Sequence, residues 1–388
     1  MLSAPKALLQ AEPKTVTILG STGSVGRSTV DLIKGYREKF IVRALTAHKN
    51  VALLAKQAME LGAEYAVIAD ESLYADLKKA LSGSGVKPMA SVVEAARMPV
   101  DWVMAAIVGA AGVEATLEAI KFARTVALAN KESLVCAGPF MMEAVRKSGA
   151  TLLPVDSEHN AVFQVFKKEG MARVILTASG GPFLRRSRTE LDGVTPEQAV
   201  KHPNWSMGAK ISVDSATMVN KALEIIEASY LFHLKPEQIE AVIHPQSVIH
   251  SMVEYVDGSI LAQMGAPDMR TPIAHTLAWP DRMETTGNRL DLSKALQLNL
   301  EPVDLQRFPA VRMAKEALAA GPGWPTVFNA ANEMAVEAFL AGQLKFPAIE
   351  SVIGKTLQRT QIGAISDMRD VFDLDRRARL VAAEIIRG

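Results

Sequence analysis

The sequence predicts an α/β protein of three successive units: a doubly wound sheet unit (1–150), a central α+β unit (151–280) and, past a connecting stretch (281–307), a small helical bundle (308–388). Three observations predict it. Apolar runs of strand length alternate with helix-like segments over the first third, the pattern of a parallel sheet. An Asp-Gly pair between two apolar runs places a hairpin in the middle third. Four helical runs punctuated by Gly and Pro close the chain. A length of 388 residues suits two or three domains.

The first strand is VTILG (16–20), and STGSVGRSTVDLIKGY (21–36) after it carries helical spacing at Val25, Val30 and Ile33. Strand-like runs recur at FIVRALTA (40–47), AEYAVIAD (63–70), DWVMAAIVGA (101–110), TVALAN (125–130) and TLLPVD (151–156). Helical segments such as VALLAKQAMELG (51–62) separate most of them. The glycines between first strand and helix are Gly20, Gly23 and Gly26, spaced G-x-x-G-x-x-G, one residue off the dinucleotide fingerprint. The physics survives: a turn off the strand, close approach of backbone N–H groups to a pyrophosphate, and tight helix–sheet packing. A tight turn that binds nothing is the alternative. With the repeated strands behind it, the segment reads as a Rossmann-like unit. About 20 residues on, an NAD enzyme places a carboxylate for the ribose. This chain has Thr46, Ala47, His48, Lys49 and Asn50 there, with no carboxylate and two possible cations, which suits the 2′-phosphate of NADP. A solvated surface turn would look the same.

The middle third carries polar clusters. Asp156-Ser157-Glu158-His159-Asn160 follows a strand, so it falls at a strand's C-terminal end, where α/β sheets bind ligands. Two carboxylates two residues apart in extended chain share a side and repel unless a cation lies between them; oxygen ligands favour Mg²⁺ or Mn²⁺ over zinc. A helix start capped by Asp156 or Ser157 explains the same residues. His159 alone reads as structural. Ser179-Gly180-Gly181 ends the strand-like RVILTA (173–178) and either faces backbone N–H groups toward an anion or is an ordinary turn. In His202-Pro203-Asn204-Trp205-Ser206-Met207-Gly208, a loop bearing Trp205 and Met207 is either a lid or permanently packed. The helix read over 210–232 has a core face of Val219, Leu223, Ile226 and Tyr230, and a second face of Asn220, Glu224 and Glu227. Capped by Asp214 or Ser215, it places Ser215, Asn220 and Lys221 in its first turns, where phosphate is favoured, with Glu224 one turn on, in reach of a metal. The alternative is a solvated face whose Lys and Glu pair weakly. The hairpin is SVIHSMVEYV (247–256) and SILAQM (259–264) about Asp257-Gly258, and 272–279 reads as a short helix.

From Phe308 four helical runs follow. Asn329, Asn332 and Glu333 in the second read as capping and packing groups. Hydrophobic residues are 49% and charged residues 22%, and 43 Lys and Arg against 42 Asp and Glu leave a net charge of +1, so no nucleic-acid or membrane-surface partner is expected. The single cysteine, Cys136, excludes an intrachain disulfide and fits a reducing compartment. No apolar stretch is long enough for a membrane helix, and the opening MLSAPKALLQAEPK reads as a loose arm rather than a signal peptide. A cytoplasmic protein is expected.

GSTGSVG (20–26), LANKESLV (128–135), PVDSEHNAVFQ (154–164), SGGPF (179–183), HPNWSMGAKISVDSATMVNK (202–221) and IHPQSVIHSMVEY (243–255) together resemble the 1-deoxy-D-xylulose 5-phosphate reductoisomerase family. These are NADPH-dependent enzymes of the non-mevalonate isoprenoid pathway. The likeness runs from about residue 14 to the C-terminus. It implies that Thr22, Gly23, Ser24 and Val25 hold the NADPH phosphates, with Lys49 and Asn50 near the 2′-phosphate. His48 stands where the family commonly has glycine. Asn130, Glu132 and Gly208 would meet the cofactor and Lys131 the substrate. Asp156, Glu158 and Glu224 would hold one divalent cation, Mg²⁺ or Mn²⁺, per subunit. Ser157 would contact substrate. Ser179, Ser215, Asn220 and Lys221 would bind its phosphate with His202 close by, and 202–208 would be a flap carrying Trp205 and Met207. The stretch from Gln164 to Val174 is short for the family. The resemblance implies a homodimer acting on a phosphosugar. Retro-aldol and aldol steps at the metal precede hydride transfer, giving 2-C-methyl-D-erythritol 4-phosphate.

Two rivals remain open at the level of sequence. A semialdehyde-type dehydrogenase also has a glycine-rich turn but needs a cysteine nucleophile, which only Cys136 could supply. An NADP-binding regulator needs the turn but no carboxylate trio.

Overall fold

The computed structural model describes residues 12–388 apart from Ser206, so most of the expected N-terminal arm and the centre of the 202–208 loop lie outside the described residues. A seven-stranded sheet has the order β4-β3-β2-β1-β5-β6-β7, with every pairing parallel. Its strands are β1 (Lys14–Leu19), β2 (Phe40–Ala47), β3 (Tyr65–Ile68), β4 (Lys87–Met89), β5 (Val100–Ala105), β6 (Ala123–Leu128) and β7 (Thr151–Pro154). The helices among them are α1 (Ser24–Gly35), α2 (Val51–Leu61), α3 (Tyr74–Ala80), α4 (Val92–Ala96), α5 (Val113–Phe122) and α6 (Lys131–Ser148). Strand order reverses between β1 and β5, which opens a crevice at their C-terminal ends. The short edge strand β4 carries no periodic signal and was not expected.

A second, mixed sheet has the order β11-β10-β8-β9-β12. It comprises β8 (Met171–Ala178), β9 (Ile239–Ile243), β10 (Ile249–Tyr255), β11 (Ile260–Met264) and β12 (Glu301–Pro302). The β10–β11 hairpin turns at Asp257-Gly258 as expected, with the Asp257 carboxylate accepting from Ser259 N at 2.9 Å. Helices α7 (Ser157–Val165), α8 (Pro196–Ala199), α9 (Ala209–Ala216), α10 (Val219–Leu231) and α11 (Arg270–Ala278) complete the middle of the chain. Val162 of α7 and Ile225 of α10 are buried with Val174, Leu176 and Val253 against this sheet. The last third folds as α12 (Pro309–Ala320), α13 (Trp324–Leu340), α14 (Ala348–Arg359) and α15 (Met368–Arg387).

Four expectations need correction. β7 pairs with β6, Thr125 against Thr151, so the first sheet continues past residue 150. The helix expected over 272–279 spans Arg270–Ala278, and its Ile273, Ala274 and Leu277 are buried in the core beneath the first sheet. The connecting stretch contributes β12, which pairs with β9. The single helix expected over 210–232 is two, α9 and α10, broken at Met218 with φ +60°. Apolar periodicity runs through that break, because Val213, Val219, Leu223 and Ile226 all bury into one core with Phe328 and Phe339 of α13. Asp214 and Ser215 therefore end α9 rather than cap α10.

Candidate active site

A cavity of about 640 Å³ lies between the C-terminal ends of the first sheet's strands and the end of the second sheet where β8 ends and β10 begins. On one side stands the glycine turn. A Cβ on Gly26 would come within 2.2 Å of Gly20 O, so only glycine lets α1 pack this close to the turn. Gly23 offers no side-chain cap to α1, which leaves the leading N–H groups free to face an anion. Ser24, Val25 and Ser28 line the cavity from this helix. Thr22 and Gly23 sit in the turn beside it. At the end of β2, His48 and Lys49 are exposed, and Lys49 Nζ is 3.9 Å from Asp70. Asn50 caps α2 by accepting from Leu53 N at 3.1 Å.

The opposite side gathers the charged residues. Asp156 caps α7 through Glu158 N at 3.2 Å, so the helix-start reading is correct as local structure. Asp156 and Glu158 also meet Glu224 of α10, and the three carboxylates offer oxygens within 4.8 Å of one another. Lys131, the first residue of α6, reaches into them: its Nζ is 2.5 Å from Asp156 Oδ2 and 3.0 Å from Glu224 Oε1, and it donates to Asn220 Oδ1 at 2.8 Å. Lys221 Nζ is 3.0 Å from Glu158 Oε1 and also bonds Glu224. The solvated-face alternative for α10 fails, because Lys221, Glu224 and Glu227 are buried.

Burial sets the electrostatics here. It pushes Glu158 up to about 7, and the neighbouring Glu224 charge adds to the rise. Burial would raise Asp156 too, but Lys131 and then His159 hold its carboxyl well below the usual range. Burial disfavours the Lys131 ammonium, yet Asp156 and Glu224 outweigh it and raise its pKa. Three carboxylates against two lysines leave an excess of oxygen ligands, the donor set of a hard divalent cation.

A third wall comes from β8, α9 and the 202–208 loop. A Cβ on Gly181, φ +67°, would meet Ala216 Cα at 2.7 Å, so the glycine brings the Ser179 turn against the end of α9. This places Ser179 and Ser215 on the same cavity as Asn220 and Lys221. His202 Nδ1 accepts from the N–H groups of Asn204 at 3.1 Å and Trp205 at 3.0 Å, which assigns the proton to Nε2. Nε2 then donates to Ser179 Oγ at 2.9 Å. Burial lowers His202 to about 4, in keeping with a neutral ring. Trp205 rests on His250, ring centroids 6.0 Å apart, and Met207 also lines the cavity.

Lys131, Asp156, Ser157, Glu158, Ser179, His202, Trp205, Met207, Ser215, Asn220, Lys221 and Glu224 thus share one cavity with Ser24 and Val25. Asn130 and Glu132 are buried and do not line it, and Gly208, at the end of the loop, is exposed. Asn130 Nδ2 donates to Ile107 O, Gly109 O and Glu132.

Sequence reasoning missed several neighbours. His159 is buried, its Nε2 2.9 Å from Glu224 O and its Nδ1 3.0 Å from Glu227, so it braces α7 against α10. Its i+3 spacing from Asp156 was the available signal. His250 and Ser247 also line the cavity, from the IHPQSVIHSMVEY stretch, where no local pattern marks them. Arg270, tied to Asp268 at 2.7 Å, lines it from the start of α11. Asn332 and Glu333 do more than pack α13: they bond Asp214 and Ala110 N.

A dinucleotide turn at the switch point of a parallel sheet, opening onto a carboxylate-lysine cluster, defines a nucleotide-dependent oxidoreductase. Comparison with known proteins makes this specific. Residues 16–138 match the family model for 1-deoxy-D-xylulose 5-phosphate reductoisomerase, residues 152–232 the model for its C-terminal domain, and residues 264–381 a further C-terminal domain model of the same enzyme. The chain is 56% identical over 384 residues to the 1-deoxy-D-xylulose 5-phosphate reductoisomerase of Zymomonas mobilis, covering 97% of this chain and 99% of the relative. It is 56% identical over 379 residues to that of Rhodospirillum centenum, covering 96% and 94%. A solved structure of the Zymomonas mobilis enzyme in complex with NADPH superposes with a TM-score of 0.91 at 54% identity, over 97% of this chain and 100% of that one. A second structure of the enzyme, with NADPH, fosmidomycin and magnesium, gives 0.93 at 40% identity, over 96% and 98%. The chain belongs to the 1-deoxy-D-xylulose 5-phosphate reductoisomerase family.

Proposed function

We propose that the protein converts 1-deoxy-D-xylulose 5-phosphate to 2-C-methyl-D-erythritol 4-phosphate with NADPH and a divalent cation. The observation that carries this is the meeting of Asp156, Glu158 and Glu224 with Lys131 and Lys221 on the cavity that α1 also lines.

The residues fit both groups. The carboxylate oxygens lie close enough to share one ion, and the uncapped α1 N-terminus with its Gly26 packing suits a diphosphate. Thr22 to Val25 hold that diphosphate, and Lys49 with His48 and Asn50 stands by the 2′-phosphate. When bound, the cation supplies a Lewis acid for the substrate's oxygens and NADPH supplies the hydride.

The chain's own groups do the rest. Ser179 Oγ accepts from His202 Nε2–H and from Gly181 N, so its own hydrogen is free to donate to a phosphate oxygen. Ser215, Asn220 and Lys221 complete that grip, and Ser157 adds a hydroxyl. Lys131 offers positive charge where negative charge develops during carbon–carbon cleavage. Trp205 and Met207 exclude water when the 202–208 flap closes, and phosphate binding far from the reacting carbons supplies energy for closure. The first sheet unit takes the cofactor, the central unit the substrate and metal, and the helical bundle supports both.

Mn²⁺ is expected to serve as well as Mg²⁺, since both accept oxygen ligands. A homodimer fits β11, an edge strand whose Ile260, Leu261 and Met264 side chains are 51%, 45% and 40% exposed; a second copy covering it would bury them. The product places the protein in non-mevalonate isoprenoid synthesis. A cytoplasmic location accords with the single buried cysteine and with no described helix long and apolar enough to cross a membrane.

The test is product identification: incubation with 1-deoxy-D-xylulose 5-phosphate, NADPH and Mg²⁺, followed by NMR. The branched polyol phosphate is expected. Recovery of unchanged substrate from folded, NADPH-binding protein would overturn the proposal.

A further inference from the structure

Behind the cavity wall runs a buried polar chain that joins the helical bundle to the dinucleotide crevice. Lys210, in the first turn of α9, sits 3.0 Å from Glu132 Oε1 and 2.9 Å from Asp214 Oδ2. Glu132 accepts from Asn130 Nδ2 at 3.0 Å, and the same amide holds Gly109 O at 3.0 Å and Ile107 O at 2.6 Å. That loop leaves β5 directly beside the glycine turn, where a Cβ on Gly20 would meet Ala106 O at 2.7 Å. The bundle grips both ends: Asn332 donates to Asp214 at 2.8 Å, and Glu333 accepts from Ala110 N at 3.0 Å. Glu132, Asp214 and Asn332 are buried. Lys210 itself follows the flap by two residues.

We infer that Lys210 is a positioning residue for the dinucleotide: it ties the end of the flap, through Glu132 and Asn130, to the loop after β5 that walls the crevice. The inference rests on the dinucleotide reading of the glycine turn. Lys210 does not line the cavity and touches no reacting atom, so its loss loosens the crevice wall while the phosphate-binding side chains keep their places.

The experiment titrates NADPH fluorescence on the full-length protein, which reads cofactor binding without turnover. Lys210→Met is expected to weaken NADPH binding by about tenfold or more. Its melting temperature falls, because Glu132 and Asp214 are left buried without their cation, but KM for the phosphosugar stays near the parental value, and Lys210→Arg, which keeps the charge, restores most of the affinity. Should Lys210→Met not fold, the Lys210→Gln/Asp214→Asn double variant, which removes opposite charges together, is measured against the same criteria. Parental NADPH affinity in the folded variant overturns the inference, as does an equal loss of cofactor and substrate binding. A parent that binds NADPH but does not turn over would instead sink the proposed activity and leave this inference standing.

Discussion

Lys131 Nζ lies 2.5 Å from Asp156 Oδ2, joining the first residue of α6 to the residue that caps α7. The two residues leave the C-terminal ends of adjacent parallel strands, β6 and β7, so sheet pairing delivers an ammonium and a carboxylate to one point. Glu224 arrives from α10, held by the bundle core through Leu223 and Ile226. The account's chemistry depends on that convergence.

Removing a carboxylate from the trio should therefore damage metal-dependent turnover specifically. Asp156→Asn or Glu224→Gln is expected to lower kcat by about a hundredfold or more, since a Lewis acid contributes several kcal/mol. The Mg²⁺ concentration for half-maximal NADPH oxidation should rise as well. A Mg²⁺ titration checks this, and parental rates at parental Mg²⁺ would refute the cation site.

Lys221→Met should act on the substrate rather than on the cofactor. It removes a buried cation that faces Glu158 and the cavity. KM for 1-deoxy-D-xylulose 5-phosphate is expected to rise by about tenfold or more, as for loss of a charged hydrogen bond. NADPH affinity by fluorescence should hold. Unchanged KM would return Lys221 to a purely structural ion pair.

Gly26→Ala tests the cofactor turn, because the added methyl would sit 2.2 Å from Gly20 O and 2.6 Å from Ser21 Cα. Backbone must shift to relieve the clash. NADPH binding is expected to weaken by about tenfold, with a lower melting temperature, in line with overpacking costs of about 1–3 kcal/mol. Unaltered binding would mean the turn takes no part.

Cys136 separates this account from cysteine-based dehydrogenase chemistry. Burial pushes its thiol well above the ordinary value, and its sulfur accepts from Asn329 Nδ2 at 3.4 Å inside the α6–α13 contact. Cys136→Ala is expected to keep most of kcat, while near-total loss would favour the thiol mechanism.

The flap should respond to acid. Burial lowers both His202 and His250 to about 4 from the usual 6.5. A base with a depressed folded pKa binds more protons when released, so the stability of the docked flap is full above about 6.5 and falls as pH drops toward about 4. Protonating His202 Nδ1 also breaks its two backbone hydrogen bonds from Asn204 and Trp205. Emission from Trp205, taken as the difference between parent and Trp205→Phe, should change across that window. A flat difference signal would contradict the docking.

Much of this was legible in the sequence. Strand alternation and the Asp257-Gly258 turn are local signals, and both sheets formed around them. The meeting of the three carboxylates was legible because Asp156 and Glu158 stand together where β7 gives way to α7 and Glu224 falls one turn past Asn220. Periodicity misled at Met218, where one apolar stripe spans two helices because both bury into the same core. Lys131, singled out only by family resemblance, has no local signature; its place among the carboxylates depends on β6 and β7 lying side by side. Lys210, Asn332 and Glu333 were opaque for the same reason, since their partners lie up to 223 residues away.

The most direct measurement is NADPH absorbance at fixed 1-deoxy-D-xylulose 5-phosphate, with Mg²⁺ present and then chelated. The account predicts oxidation that stops on chelation and resumes when Mg²⁺ or Mn²⁺ is restored. Oxidation that continues without metal, or none with it while the folded protein binds NADPH, would contradict the central claim that the carboxylate trio and the glycine turn serve one reaction.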